Sequence, residues 1–202
     1  MKARQSTPEK REVALKVLEE VRRGEDVFQA IRRYPLSGDA GYISKHILVA
    51  TYNHLVKAGE LAEDPALLAR IRMKPMRTLS GVTTVTVLTG PHACPGHCIF
   101  CPTDERMPKS YLPDEPGGAR AFQNNFDPYE QVRSRIASYK AVGHPTDKIE
   151  LLILGGTWSV YPHDYQEAFI KGCLDAMNGV VSTTLEEAQL LNETTAHRNV
   201  GM

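Results

Sequence analysis

The stretch VTTVTVLTGPHACPGHCIFCP, residues 82–102, decides the fold. Its first eight residues are β-branched or aliphatic, short, and bounded by Gly81 and by Gly90-Pro91, the pattern of a buried strand. Cys94, Cys98 and Cys101 follow on the loop that leaves this strand, in a C-x3-C-x2-C spacing. A second apolar run, IELLILGGT at 149–157, ends in Gly155-Gly156 and reads as a strand buried on both faces. Between the two, residues 102–126 are rich in Pro, Gly, Asp and Asn and read as a long connection, after which Asp127-Pro128 caps a helix to about Val142. Asp164 to Met177 predicts another helix. Thr184-Leu185-Glu186-Glu187 is a capping box opening one more, fading near Ala196.

Strand, helix, strand, helix in that order predicts βα units on a parallel sheet, an α/β fold. A further strand is expected at Asn199–Met202, where the sequence stops, so the chain reads as one cut short. Upstream the pattern is helical: Pro8–Arg23 with Thr7 as N-cap, Val27–Arg33, Tyr42–Ala58 and Pro65–Ile71. The expected division is therefore a helical module over 1–72 and a βα domain over 73–202.

Three cysteines within eight residues of a 202-residue chain do not form a disulfide framework; they point to a metal in a reducing compartment. Three thiolates can hold three irons of a 4Fe-4S cubane and leave the fourth iron open to S-adenosylmethionine, whose sulfonium one electron then cleaves to a 5′-deoxyadenosyl radical. Ile99 and Phe100 would shield such a cluster from water. The plainer alternatives are structural zinc, with His92 or His97 as fourth ligand, and unliganded thiols; zinc favours paired C-x2-C elements, and this loop holds one. Gly155, Gly156 and Thr157 suit close approach of the methionyl end of S-adenosylmethionine, although Gly-Gly after a strand is commonly just a tight turn. Cys173, among Phe169, Ile170, Leu174 and Met177, reads as a small buried hydrophobe.

The chain carries 24 basic and 24 acidic residues, but they are unevenly placed. Residues 1–80 hold a surplus of five positive charges, 15 Lys or Arg against 10 Asp or Glu, and residues 81–202 a matching negative surplus. Arg70, Arg72, Lys74 and Arg77 cluster ahead of the first strand, either as a solvated face or as contacts to RNA phosphates. No stretch approaches the roughly 18 apolar residues of a membrane span, and the polar start MKARQSTPEK lacks the core of a secretory signal. The expected location is cytoplasmic.

The segments KPMRTLSGV, PHACPGHCIFCP, KSYLPDEPGGARAFQNNFDPYEQVRSRI and GHPTDKIELLILGGTW, with LEEAQLLNETTAHRNVGM at the end, resemble the catalytic subunit of Elongator and its bacterial and archaeal single-chain relatives, the tRNA wobble-uridine carboxymethyl synthases. The resemblance implies the first units of a partial radical S-adenosylmethionine barrel, cluster ligation by Cys94, Cys98 and Cys101, a cofactor region at Gly155–Thr157, and tRNA binding by the basic helical region. It further implies that Lys148 matches a lysine contacting acetyl-CoA, the donor of the carboxymethyl carbons: a carbon radical from the acetyl methyl adds to C5 of uridine and the thioester is hydrolysed. The family also carries a C-terminal acetyltransferase domain, which this sequence lacks. The polypeptide is thus expected to turn over weakly or merely to bind tRNA unless a separate chain completes it.

Overall fold

The computed structural model describes residues 7–38 and 41–202, so part of the polar start lies outside the described residues. The chain forms two compact units, one comprising residues up to Leu79 together with Tyr139–His144, the other Ser80–Ser138 together with Pro145–Met202.

The first unit is helical: α1 (Pro8–Arg22), α2 (Val27–Arg33), α3 (Lys45–Lys57) and α4 (Pro65–Ile71), then a 3-10 turn at Pro75–Thr78. Local chemistry sets the boundaries. The Thr7 hydroxyl accepts from Lys10 N, the Asp26 carboxylate from Phe28 N and Gln29 N, and that of Asp64 from Leu67 N, each satisfying amides that a first helical turn leaves unpaired. Helix α3 begins at Lys45 rather than Tyr42, which leaves Ile43 to reach the core from the preceding extended segment. Val17, Val21, Leu48, Val49 and Ile71 are fully or almost fully buried at the centre of this unit.

The second unit is built on a three-stranded parallel sheet in the order β1 (Thr83–Leu88), β2 (Lys148–Leu154), β3 (Arg198–Gly201). The register runs from Thr83 opposite Ile149 to Leu88 opposite Leu154, and β3 continues it with Arg198 opposite Lys148. The expected α/β architecture and its closing strand are thus present. Helices α5 (Pro116–Gln123), α6 (Pro128–Ala141), α7 (His163–Asn178) and α8 (Leu185–Asn192) fill the connections. Gln131 of α6 holds the end of β1 with its amide, accepting from Leu88 N and donating to Leu88 O, both at 2.9 Å in a buried setting. Helix α7 approaches the start of α6 at Gly172, where a Cβ would stand 2.8 Å from the Pro128 ring.

Three expectations need correction. The connection over 102–126 is not structureless, since α5 lies within it; Gly118 permits this because a Cβ there would run into the Leu112 carbonyl. Strand β2 is not buried on both faces: Ile149 and Leu151 are buried, while Lys148, Glu150 and Leu152 alternate with them toward solvent. Helix α8 ends at Asn192, whose side chain donates to Asn178 Oδ1 and accepts from Asn199 N, turning the chain into β3.

Candidate functional site

In a parallel sheet every strand delivers its C-terminal end to the same edge, and here β1 delivers the cysteine loop and β2 delivers Gly155-Gly156-Thr157 side by side. The junction beneath them is closed by hydroxyls. Tyr161 donates to Gly90 O at 3.0 Å, so the Thr89 hydroxyl, 2.7 Å away, donates to the Tyr161 oxygen. Tyr165 accepts from Gly90 N at 2.9 Å and stacks on Tyr161 with ring centroids 5.1 Å apart; burial pushes its phenol above the ordinary value, which keeps it neutral. A Cβ on Gly155 would collide with the Thr89 hydroxyl, so glycine at this position is imposed by the close approach of the two strand ends. Gly156 stands against Lys109 and the Tyr161 hydroxyl.

Above this junction, Cys94 and Cys98 flank Gly96, with their sulfurs 3.7 and 3.6 Å from the point a Gly96 Cβ would occupy. Thr157 reaches across from β2 to within 3.5 Å of Cys94 Sγ. The Thr157 hydroxyl, followed by the Gly96 amide, holds the Cys94 thiol below its ordinary range. Cys101 Sγ stands 2.8 Å from Ser110 Oγ. Residues 91–97 and 103–109 enclose a cleft of ≈ 460 Å³, with Cys94, His97, Asp104 and Lys109 on its walls. Arg106 chelates Asp104 through its side chain and backbone N–H, which holds that carboxyl at about 2, and Lys109 donates to Thr103 across the same turn.

The donor set suits a three-thiolate group in kind: three thiols on one loop, two of them about a glycine that leaves room between them. Among the described residues, no three His, Cys, Asp or Glu side chains are gathered closely enough to hold a metal ion. His92, considered as a zinc ligand, stacks instead on Tyr161 at 4.7 Å. Ile99 and Phe100 do not shield the loop; they are 91% and 90% exposed, since two residues at the tip of a projecting loop have nothing to pack against. Cys173 is fully buried in α7, and burial pushes its thiol up, as an inert core residue requires.

The remaining candidates lie elsewhere. Lys148 is exposed at the first residue of β2, seven residues before Gly155 and therefore roughly 23 Å away along a strand rising about 3.3 Å per residue. In the helical unit, Arg70 donates to the Val21 and Glu25 carbonyls and Arg72 Nε to Gly143 O at 2.7 Å, whereas Lys74 and Arg77 are exposed. Sequence reasoning passed over Ser110, Lys109, Tyr161 and Tyr165. The Tyr161/Tyr165 pair four residues apart after GGTW was the available signal; for Ser110 no spacing rule exists.

No family model matches this chain. Among characterised proteins it is 50% identical over 146 residues to the tRNA uridine(34) acetyltransferase of Methanocaldococcus jannaschii, covering 69% of this chain and 27% of that protein. It is 50% identical over 129 residues to the protein of that name from Dehalococcoides mccartyi (64% and 28%). To Elongator complex protein 3 of Schizosaccharomyces pombe it is 35% identical over 148 residues (68% and 27%). The solved structure of Methanocaldococcus infernus Elp3 with an N-terminal deletion (1–46) superposes with a TM-score of 0.45 at 43% identity, covering 59% of this chain and 21% of that one. The chain thus spans less than a third of the length of these relatives. Over the stretch it shares with them, this chain belongs to the family of the tRNA uridine(34) acetyltransferases and Elongator complex protein 3.

Proposed function

We propose that this chain takes part in modifying the wobble uridine of tRNA, with Cys94, Cys98 and Cys101 as the three protein ligands of a 4Fe-4S cluster whose open iron takes S-adenosylmethionine. The observation that carries this reading is the convergence of two strand ends: the thiol loop leaves β1, and Thr157, at the end of β2, already hydrogen-bonds one of its sulfurs. Once bound, such a cluster would supply one-electron chemistry that no amino-acid side chain provides.

The chain's own residues have definable tasks in this reading. The Thr157 hydroxyl and the Gly96 amide, which lower the Cys94 thiol, favour its thiolate, the form that ligates metal. For the three thiolates to share one cluster, the cysteines would have to draw closer together than they stand here. Gly155 and Gly156, which carry no side chains of their own, would offer backbone groups to the amino and carboxylate end of the cofactor. Arg70 and Arg72 hold the helical unit together, leaving Lys74 and Arg77 to meet tRNA phosphates. Acetyl-CoA, with Lys148 as its contact, would be the carbon donor.

The test is anaerobic reconstitution with iron and sulfide, followed by electron paramagnetic resonance of the reduced protein with and without S-adenosylmethionine. A signal that changes on adding the cofactor is expected. Zinc without iron or sulfide in anaerobically purified protein would overturn the reading, and a cluster indifferent to the cofactor would remove the radical chemistry from it.

A further inference from the structure

Helices α1 and α3 pack against each other in the helical unit, and at their junction a pocket of ≈ 220 Å³ opens between Arg11 of α1 and Ala50, Thr51 and His54 of α3. Helical spacing puts these residues there. Arg11 extends the buried stripe that α1 forms with Ala14 and Leu18, and Thr51 lies on the buried stripe of α3 that runs from Leu48 to Leu55. Ala50 and His54 flank Thr51 on the same side, and the single methyl of Ala50 leaves the space open. The pocket presents donors, and none is engaged: among the described residues the Arg11 guanidinium, the Thr51 hydroxyl and the His54 ring have no hydrogen-bond or ion-pair partner. Thr51 is only 6% exposed, and a hydroxyl so placed without a protein partner costs stability. Nearby carboxylates are already occupied: Glu9 accepts from Ser37 N at 2.7 Å, Glu12 pairs with Lys16 at 2.8 Å, and α3 contains no Asp or Glu.

We propose that Arg11, Thr51 and His54 form a binding site for a single phosphate group, carried by a small phosphomonoester or by a nucleic-acid backbone. The site depends on neither the cluster nor the contacts assigned to Lys74 and Arg77. A guanidinium, a hydroxyl and an imidazole N–H supply donors from two helices and bring no negative charge, which suits a group with acceptor oxygens on several sides better than a planar carboxylate. The surplus of five positive charges over residues 1–80 favours an anion on this unit. The pocket is smaller than the roughly 300–1,000 Å³ that encloses a drug-sized ligand, so it takes the phosphate and leaves the rest of the molecule outside.

The experiment titrates the full chain with inorganic phosphate at constant ionic strength and follows the amide resonances of residues 50–54 by nuclear magnetic resonance. Wild type is compared with Arg11→Gln, Thr51→Val and a charge control, Arg22→Gln, which lies eleven residues along α1 and therefore about 16 Å away at 1.5 Å per residue. Wild type should saturate. Arg11→Gln should weaken binding about tenfold and Thr51→Val about fivefold, while Arg22→Gln should bind as wild type does. Thr51→Val should also melt no lower than wild type, because the hydroxyl it loses has no protein partner. Shifts in wild type that do not saturate overturn the proposal, as does equal weakening in Arg22→Gln and Arg11→Gln, which would reduce the effect to general charge. Acetate bound as tightly as phosphate overturns it, and so does wild-type affinity in Thr51→Val. A uridine dinucleotide with and without a 5′-phosphate then separates the two sources: preference for the phosphorylated form supports a terminal phosphomonoester, and equal binding that is lost in Arg11→Gln supports a backbone phosphodiester.

Discussion

Four basic residues within eight positions have two different occupations. Arg70 and Arg72 donate to carbonyls of their own unit, and a hydrogen bond from a charged donor contributes about 1.5–3 kcal/mol. Arg72→Ala should therefore lower the stability read from urea unfolding by an amount in that range. Lys74→Ala with Arg77→Ala should leave it within about 0.5 kcal/mol of wild type yet weaken tRNA binding, with the slope of affinity against salt falling by about one for each phosphate no longer neutralised. Equal destabilisation of both variants would count against this division. Composition made the cluster visible; it could not show which guanidinium groups are already engaged, because their partners lie 45 to 71 residues away in sequence.

Asp175 is the other residue whose role the sequence concealed. It sits inside α7 with its carboxylate almost wholly buried, accepting from Ser182 N at 3.0 Å, from Ser182 Oγ at 2.6 Å and pairing with Lys171 at 2.8 Å. Burial pushes its carboxyl up, but these donors together outweigh burial and leave it lowered. A lowered carboxyl contributes stability above the unfolded value near 3.9, and that contribution disappears as pH falls through the folded value below it. Asp175→Asn should thus cost about 2 kcal/mol at neutral pH, a difference that holds down to about pH 4 and shrinks below it. Urea titrations of both proteins across that range would check it; a difference independent of pH would show that the charge is irrelevant.

At the scale of elements, the helices with capping side chains and regular apolar spacing were legible, as were both long strands, because those signals are local. Helix α5 was not. Its opening PGGA looks like a turn, and it is helical because Gly118 lies against the Leu112 carbonyl while Ala121 packs with Leu88 and Met107. The same tertiary reasoning explains β2: a continuous apolar run reveals a strand but cannot say which face is covered. The cysteine spacing was legible, whereas Ser110 beside Cys101 depended on a turn that sequence did not specify. Two glycines allow a comparison of how closely elements approach. Gly118→Ala confronts a backbone carbonyl and should destabilise by more than Gly172→Ala, which meets a proline ring at 2.8 Å and should cost about 1–3 kcal/mol. Thermal melts that reversed this order would show that α5 shifts more easily than α7.

Taken as a whole molecule, the chain separates a helical unit rich in capped turns from a sheet unit whose strands point the same way. That common direction gathers the thiol loop and Thr157 at one edge and leaves Lys148 at the opposite one, so a small molecule touching both Lys148 and the cysteines would have to reach roughly 23 Å at about 3.3 Å per strand residue. An extended, chain-like donor could do so; a compact one could not.

The hydroxyl closure around Gly90 has a further consequence in deuterium uptake. The Gly90 amide is bonded to Tyr165, and the Leu88 amide of the strand before it is clamped by Gln131. Protection should therefore stay high through Gly90 and fall abruptly over the mostly exposed residues from Ala93 to Phe100, a step within a few peptide bonds. Disappearance of the step in Tyr165→Phe would identify one phenol as the latch that keeps the base of the loop shut while its tip exchanges with solvent.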